Sequence, residues 1–136
     1  MAVHLASRAY GEANELNIKN KLETFLGCGL LKSPDPFAVI DFSNVNGTIW
    51  AEVKRRRCNH NRYGTIIVGK NKVDFVKAQG GRAIFVWTFD DGDYYIDFNE
   101  EQFATFDIAE FQRTDRQGDV ASMVYHVPTD LLQRML

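Results

Sequence analysis

The chain has 136 residues, 45% hydrophobic and 25% charged, with only three prolines, which suffices for one domain with its own core. Sixteen basic and 18 acidic residues leave a formal net charge of −2, so no overall basic excess points to nucleic acid or membrane. No apolar run approaches the roughly 18 residues of a membrane span, and the N-terminus lacks a signal peptide's basic-then-apolar pattern, which predicts a cytoplasmic protein, or one acting in an infected host's cytoplasm.

A helix is expected from about Arg8 to Leu26, with Ile18, Leu22, Phe25 and Leu26 at helical spacing and Gly27 and Gly29 as stops. Cys28 and Cys58 sit in no CxxC or Cys/His cluster and are expected as free thiols. Ser33 to Pro36 reads as a turn, followed by a hairpin of Phe37 to Phe42 and Thr48 to Lys54. Arg55 to Tyr63 is a basic loop. Thr65 to Val68 then leads through Gly69 into a helix from about Asn71 to Gln79, ended by Gly80-Gly81. Ala83 to Phe89 has the apolar continuity of a central strand buried on both faces, and Asp91-Gly92 turns it into Tyr94 to Phe98. Phe106 to Phe111 and Val120 to Val127 suggest a last hairpin, stopped by Pro128. Thr129 would cap a short final helix with Leu131, Leu132 and Leu136 as its apolar face. The order predicts one domain over residues 1–136, a mixed central β-sheet flanked by helices, in the α/β or α+β class.

The neutral average hides a segregation. Nine basic residues (Lys54, Arg55, Arg56, Arg57, Arg62, Lys70, Lys72, Lys77 and Arg82) crowd the middle of the chain around one acid, Asp74, whereas ten acids lie between Asp90 and Asp119. Such a dipolar molecule could turn one side to a polyanion, or simply present two solvated surfaces.

Spacing brings specific groups together. If Asn46-Gly47 is the centre of a type I′ turn, paired residue numbers sum to 93, Phe42 faces Ala51 and Asp41 faces Glu52. Opposed side chains on a sheet stand about 4.5–5.5 Å apart, where two carboxylates repel unless a cation lies between them. Strand alternation puts Lys54 on Glu52's face. Oxygen ligation of this kind suits Mg²⁺, with Mn²⁺ as substitute, and Lys54 could orient water or stabilise developing charge. From the first helix, Glu15 lies on the stripe of Ile18 and Leu22 and is the inward candidate, with Glu12, Lys19 and Glu23 on the opposite, solvated face. Arg55, Arg56, Arg57, His60 and Arg62, with Lys70 and Lys72 at the second helix start, are the expected DNA phosphate contacts. Lys77 reads equally well as plain surface.

An Asp on one strand (AVIDF), E-x-K on the next (AEVK) and a preceding helix with a Glu resemble the PD-(D/E)XK nuclease superfamily. The stretch IIVGKNKVDFVKAQGGRAIFVWTF resembles the segment after E-x-K in archaeal-type Holliday junction resolvases. Ile40 stands where the motif's name has Pro. The resemblance implies a restriction-endonuclease-like fold and metal-dependent hydrolysis of DNA. It also implies site roles for Asp41, Glu52, Lys54 and Glu15, the main-chain carbonyl of Val53 as a further metal ligand, and substrates such as branched DNA. A homodimer is left open. The alternatives are a catalytically silent nucleic-acid-binding module of the same fold and an RNA-directed nuclease.

Overall fold

The computed structural model describes residues 16–35, 38–111 and 122–136. The first helix, α1, occupies residues 16–26. After it come β1 (Leu31–Lys32), β2 (Phe42–Ser43), β3 (Ile49–Arg55), β4 (Thr65–Gly69), α2 (Lys70–Gln79), β5 (Arg82–Phe89) and β6 (Gly92–Asp97). The chain continues through α3 (Glu100–Phe103), β7 (Asp107–Phe111), β8 (Ser122–Pro128), a 3-10 turn (Thr129–Leu131) and β9 (Gln133–Arg134). Six strands form the central sheet in the order β1-β2-β3-β5-β6-β9, in which only β3 and β5 run parallel. The expected mixed sheet with helices is therefore present.

It is not the only sheet. The expected last hairpin does form from β7 and β8, but it joins β4 in a separate sheet of order β4-β8-β7. The reason lies in β5, whose residues alternate between two buried faces. Ile84 and Val86 pack with Ile18 and Leu22 of α1, Phe42, Ala51 and Met135. Ala83, Phe85, Trp87 and Phe89 face the other way. A ten-residue α2, about 15 Å long, brings only Val73 and Val76 as buried residues to that second face. Ile66, Val68, Tyr125 and Val127 of the second sheet complete its cover.

The turn before β3 reaches the expected register by a different geometry. Phe42 faces Ala51 and Ser43 faces Trp50, so paired numbers do sum to 93. Among the described residues, however, no residue other than glycine has positive φ, and Gly47 alone in this turn does, at 66°. This excludes type I′, which needs positive φ at Asn46 too. Gly47 N–H donates to the Asn44 carbonyl at 3.1 Å, and the Asn44 side-chain oxygen accepts from the N–H groups of Thr48 and Ile49. Asn44 organises a four-residue loop that lands on the same register.

Other local expectations shift in the same way. The two-residue loop after β5 is Asp90-Asp91, one position earlier than expected, because Phe89 pairs with Gly92. The final helix reduces to one 3-10 turn. The Thr129 hydroxyl donates to the carbonyls of Tyr63 and Gly64 rather than capping, and β9 adds to the open edge of β6. Leu132 and Met135 are buried there, while Leu131 and Leu136 are exposed. So short a helix is marginal in water, and a free sheet edge is the better partner. β1 and α3 were not anticipated. Asn99 caps α3 by accepting from Gln102 N–H at 2.8 Å.

Candidate active site

The expected strand before Asp41 is cut short, and the acids themselves cut it. Of that strand only Phe42 pairs, together with Ser43; Pro36 and Phe37 lie outside the described residues, and residues 38–41 form no strand. Asn44 N–H donates to the Ile49 carbonyl at 3.1 Å, so continued alternation down the ladder would make Ile40 and Val53 a hydrogen-bonded pair. Instead Val53 N–H donates to Asp41 Oδ2 at 3.0 Å, and Asp41 N–H donates to Glu52 Oε1 at 3.2 Å. Each carboxylate takes a main-chain donor beside the other. The chain consequently peels away from β3 at Asp41 while both acids stay together.

Glu52 is the one charged residue buried among those described, at 7% exposure. Burial, then the nearby charge of Asp41 and a hydrogen bond with its carboxyl, push its pKa up to about 7 against the opposing pull of Lys72. Lys72, from the first turn of α2, places Nζ 3.2 Å from Glu52 Oε2 and donates to the Val39 carbonyl. Glu52 therefore has a counter-charge in a lysine of α2. The sequence placed Lys72 at the start of the right helix but as an outward phosphate contact. Its reach to Val39, 33 residues away in sequence, carries no local signal.

Lys54 shares Glu52's face of β3, opposite Trp87 on β5. Its residue is exposed, yet the packed groups around its ammonium strip water from it, and Arg56 adds repulsion; both hold its pKa below the usual lysine value. Glu52, Lys54, Lys72, Gly69 and Trp87 line a recess of about 40 Å³, room for at least one water. Among the described residues the indole N–H of buried Trp87 has no hydrogen-bond partner, although its sequence context predicts a plain core aromatic.

The basic loop divides into held and exposed groups. Arg55 bonds the Thr88 carbonyl at 2.9 Å and Asp90 at 2.6 Å. His60 Nδ1 meets Asp91 Oδ2 at 2.6 Å, and its ring stacks on Tyr94 with centroids 4.2 Å apart. That hydrogen bond holds the Asp91 carboxyl below its ordinary pKa. Both basic groups thus tie the loop to the acidic turn after β5. Lys70 pairs with Asp74 one turn along α2. Arg57 and Arg62 are exposed, Arg62 over the Tyr63 ring at 5.5 Å, and Arg56 is half-buried.

Glu15 and Glu12 lie outside the described residues. Of Glu15's stripe, Ile18 and Leu22 are buried as the phase predicts and Leu26 is partly buried, but they pack with Phe42 and Ala51, the sheet face opposite Asp41 and Glu52. Glu23 was expected on the solvated face; it is half-buried, and its carboxylate accepts from Leu30 N–H at 2.8 Å, closing the turn after α1. Cys28 and Cys58 are free, as expected. Among the described residues no group of three or more His, Cys, Asp or Glu side chains assembles. Asp41 and Glu52 are a pair, and a pair fits Mg²⁺, which commonly takes one or two carboxylates and keeps its waters.

An acid just before one strand, set beside E-x-K on the next in a mixed sheet with helices packed on it, is the arrangement that the resemblance to the PD-(D/E)XK superfamily implies. The chain belongs to the phage putative PDDEXK endonuclease family, whose sequence model matches residues 7–135. Among curated proteins no sequence matches it. Among solved structures it is similar to Hjc of Archaeoglobus fulgidus, a Holliday junction resolvase from an archaeal hyperthermophile, at 16% identity and a TM-score of 0.48, over 85% of this chain and 95% of that one.

Proposed function

We propose that the chain is a divalent-metal-dependent DNA endonuclease centred on Asp41, Glu52 and Lys54, acting in the host cytoplasm. The observation that carries this reading is the meeting of two carboxylates, one buried, with Lys54 on the same sheet face. Asp41 and Glu52 would hold the metal, with the Val53 carbonyl as a further donor. Mg²⁺ or Mn²⁺ supplies neutralisation of phosphate charge and acidification of water. Lys54 orients the attacking water and donates to the charge that develops on the phosphate. Lys72 balances Glu52 and fixes the Val39 segment beside Asp41, at a helix start whose N–H groups favour phosphate. Arg56, Arg57 and Arg62 follow the backbone with Lys70, while Arg55 and His60 shape the loop that carries them.

The test incubates labelled four-way junction, duplex, single-stranded DNA and RNA with Mg²⁺, Mn²⁺, Ca²⁺ or chelator. Cleavage of DNA in Mg²⁺ and Mn²⁺ but not in Ca²⁺ is expected. Full cleavage in chelator would reject the metal mechanism. DNA binding without cleavage under any condition would make the chain a silent binding module.

A further inference from the structure

A second cavity lies beside the catalytic recess, and Ile67 on β4 lines both. Its volume is about 290 Å³, near the lower end of the roughly 300–1,000 Å³ of small-molecule sites. Phe89, Phe111 and Tyr63 supply flat apolar walls, and Arg56, Asn59 and His60 supply polar ones. His60 is immobilised by Asp91 and by its stack on Tyr94. With Nδ1 engaged there, Nε2 is the ring nitrogen left for another polar partner. The Asn59 side-chain amide has no partner among the described residues, so one donor-acceptor edge is unused. Tyr63 is 64% exposed, much surface for an aromatic ring to leave in water.

Aromatic and apolar walls, an amide edge and adjacent arginines match a nucleobase attached to a phosphodiester. The position is equally specific. Arg56 stands two residues beyond Lys54, about 7 Å along the chain, so the cavity lies on the scale of one nucleotide from the recess. A base within a duplex is stacked and has its pairing edge occupied; only an unpaired base can enter.

We propose that this cavity receives one unpaired base of the DNA strand whose phosphate lies in the catalytic recess, which makes DNA with unpaired nucleotides the substrate class. The inference rests on the DNA nuclease reading and is tested so that the two can fail separately. Binding is measured in Ca²⁺ with three labelled DNAs: a paired duplex, a duplex with one bulged 2-aminopurine, and the same duplex with an abasic bulge. The abasic DNA bends alike but carries no base. Wild type should bind the base-bearing bulge about five- to a hundredfold tighter than the abasic one, the range expected for one stacked base, and 2-aminopurine emission should change on binding. Tyr63→Ala removes a wall, and Thr65→Trp fills the space from an exposed β4 position. Both should bring the ratio towards one. A ratio of one in wild type, or a ratio that neither variant lowers, overturns the pocket. Cleavage of paired duplex in Mg²⁺ would then leave the nuclease reading standing, whereas failure to bind any of the three DNAs overturns both.

Discussion

Replacing Glu52 by Gln should remove a pH dependence from the metal-free protein that wild type must show. In the unfolded chain Glu52 titrates near 4.5, and in the folded protein near 7. Between those values the folded state holds a proton that the unfolded state has lost, so this group favours folding fully below about 4.5. Its contribution is lost as pH rises through about 7. A shift of this size corresponds to about 3 kcal/mol. Gln keeps the shape and cannot ionise. It also leaves Lys72 without a counter-charge, so the absolute stability of the variant mixes gain and loss. The difference between wild type and Glu52→Gln, followed from pH 4 to pH 8.5, isolates the titration. Urea unfolding in chelator at five or six pH values should find the variant gaining about 3 kcal/mol relative to wild type across that range. Because the Asp41 charge is one cause of the shift, Asp41→Asn should flatten the wild-type curve part of the way. Adding Mg²⁺ should stabilise wild type at high pH and neither variant. Parallel curves for wild type and Glu52→Gln would refute a strained, buried acid at this position.

Lys72→Met removes the charge that opposes the upward shift of Glu52. The pH midpoint of divalent-ion uptake, followed by calorimetry, should therefore move higher, and an unchanged midpoint would show that Lys72 is not the counter-ion. Arg57→Ala and Arg62→Ala should each reduce the slope of log affinity against log salt on duplex DNA by about 0.9. Arg55→Ala should leave that slope alone and cost up to about 1 kcal/mol of stability through its tie to Asp90; a slope change there would mean that Arg55 reaches phosphate. Gly81→Ala should destabilise by about 1–3 kcal/mol, because φ is +81° and a Cβ would sit 2.3 Å from the Thr48 carbonyl, the acceptor for Arg82 N–H where β5 joins β3. Urea unfolding measures it, and a loss under half a kcal/mol would reject the close approach.

The sequence by itself determined what short-range geometry can carry. The centre of the turn fixed the register that sets Asp41 against Glu52, strand alternation put Lys54 on the same face, and helical phase buried Ile18 and Leu22. These follow from periods of 2 and 3.6 and from a loop of few residues, even where the turn type itself was misread. Tertiary structure alone decided which charges meet. Lys72 finds Glu52, Arg55 finds Asp90 and His60 finds Asp91 across 20 to 35 residues, so the central basic segment is partly spent on acids that lie before and after it. The second sheet was equally out of reach, because an alternating strand does not say which sheet it will join. That choice belongs to the uncovered face of β5, and only the folded chain exposes how much of it α2 leaves bare.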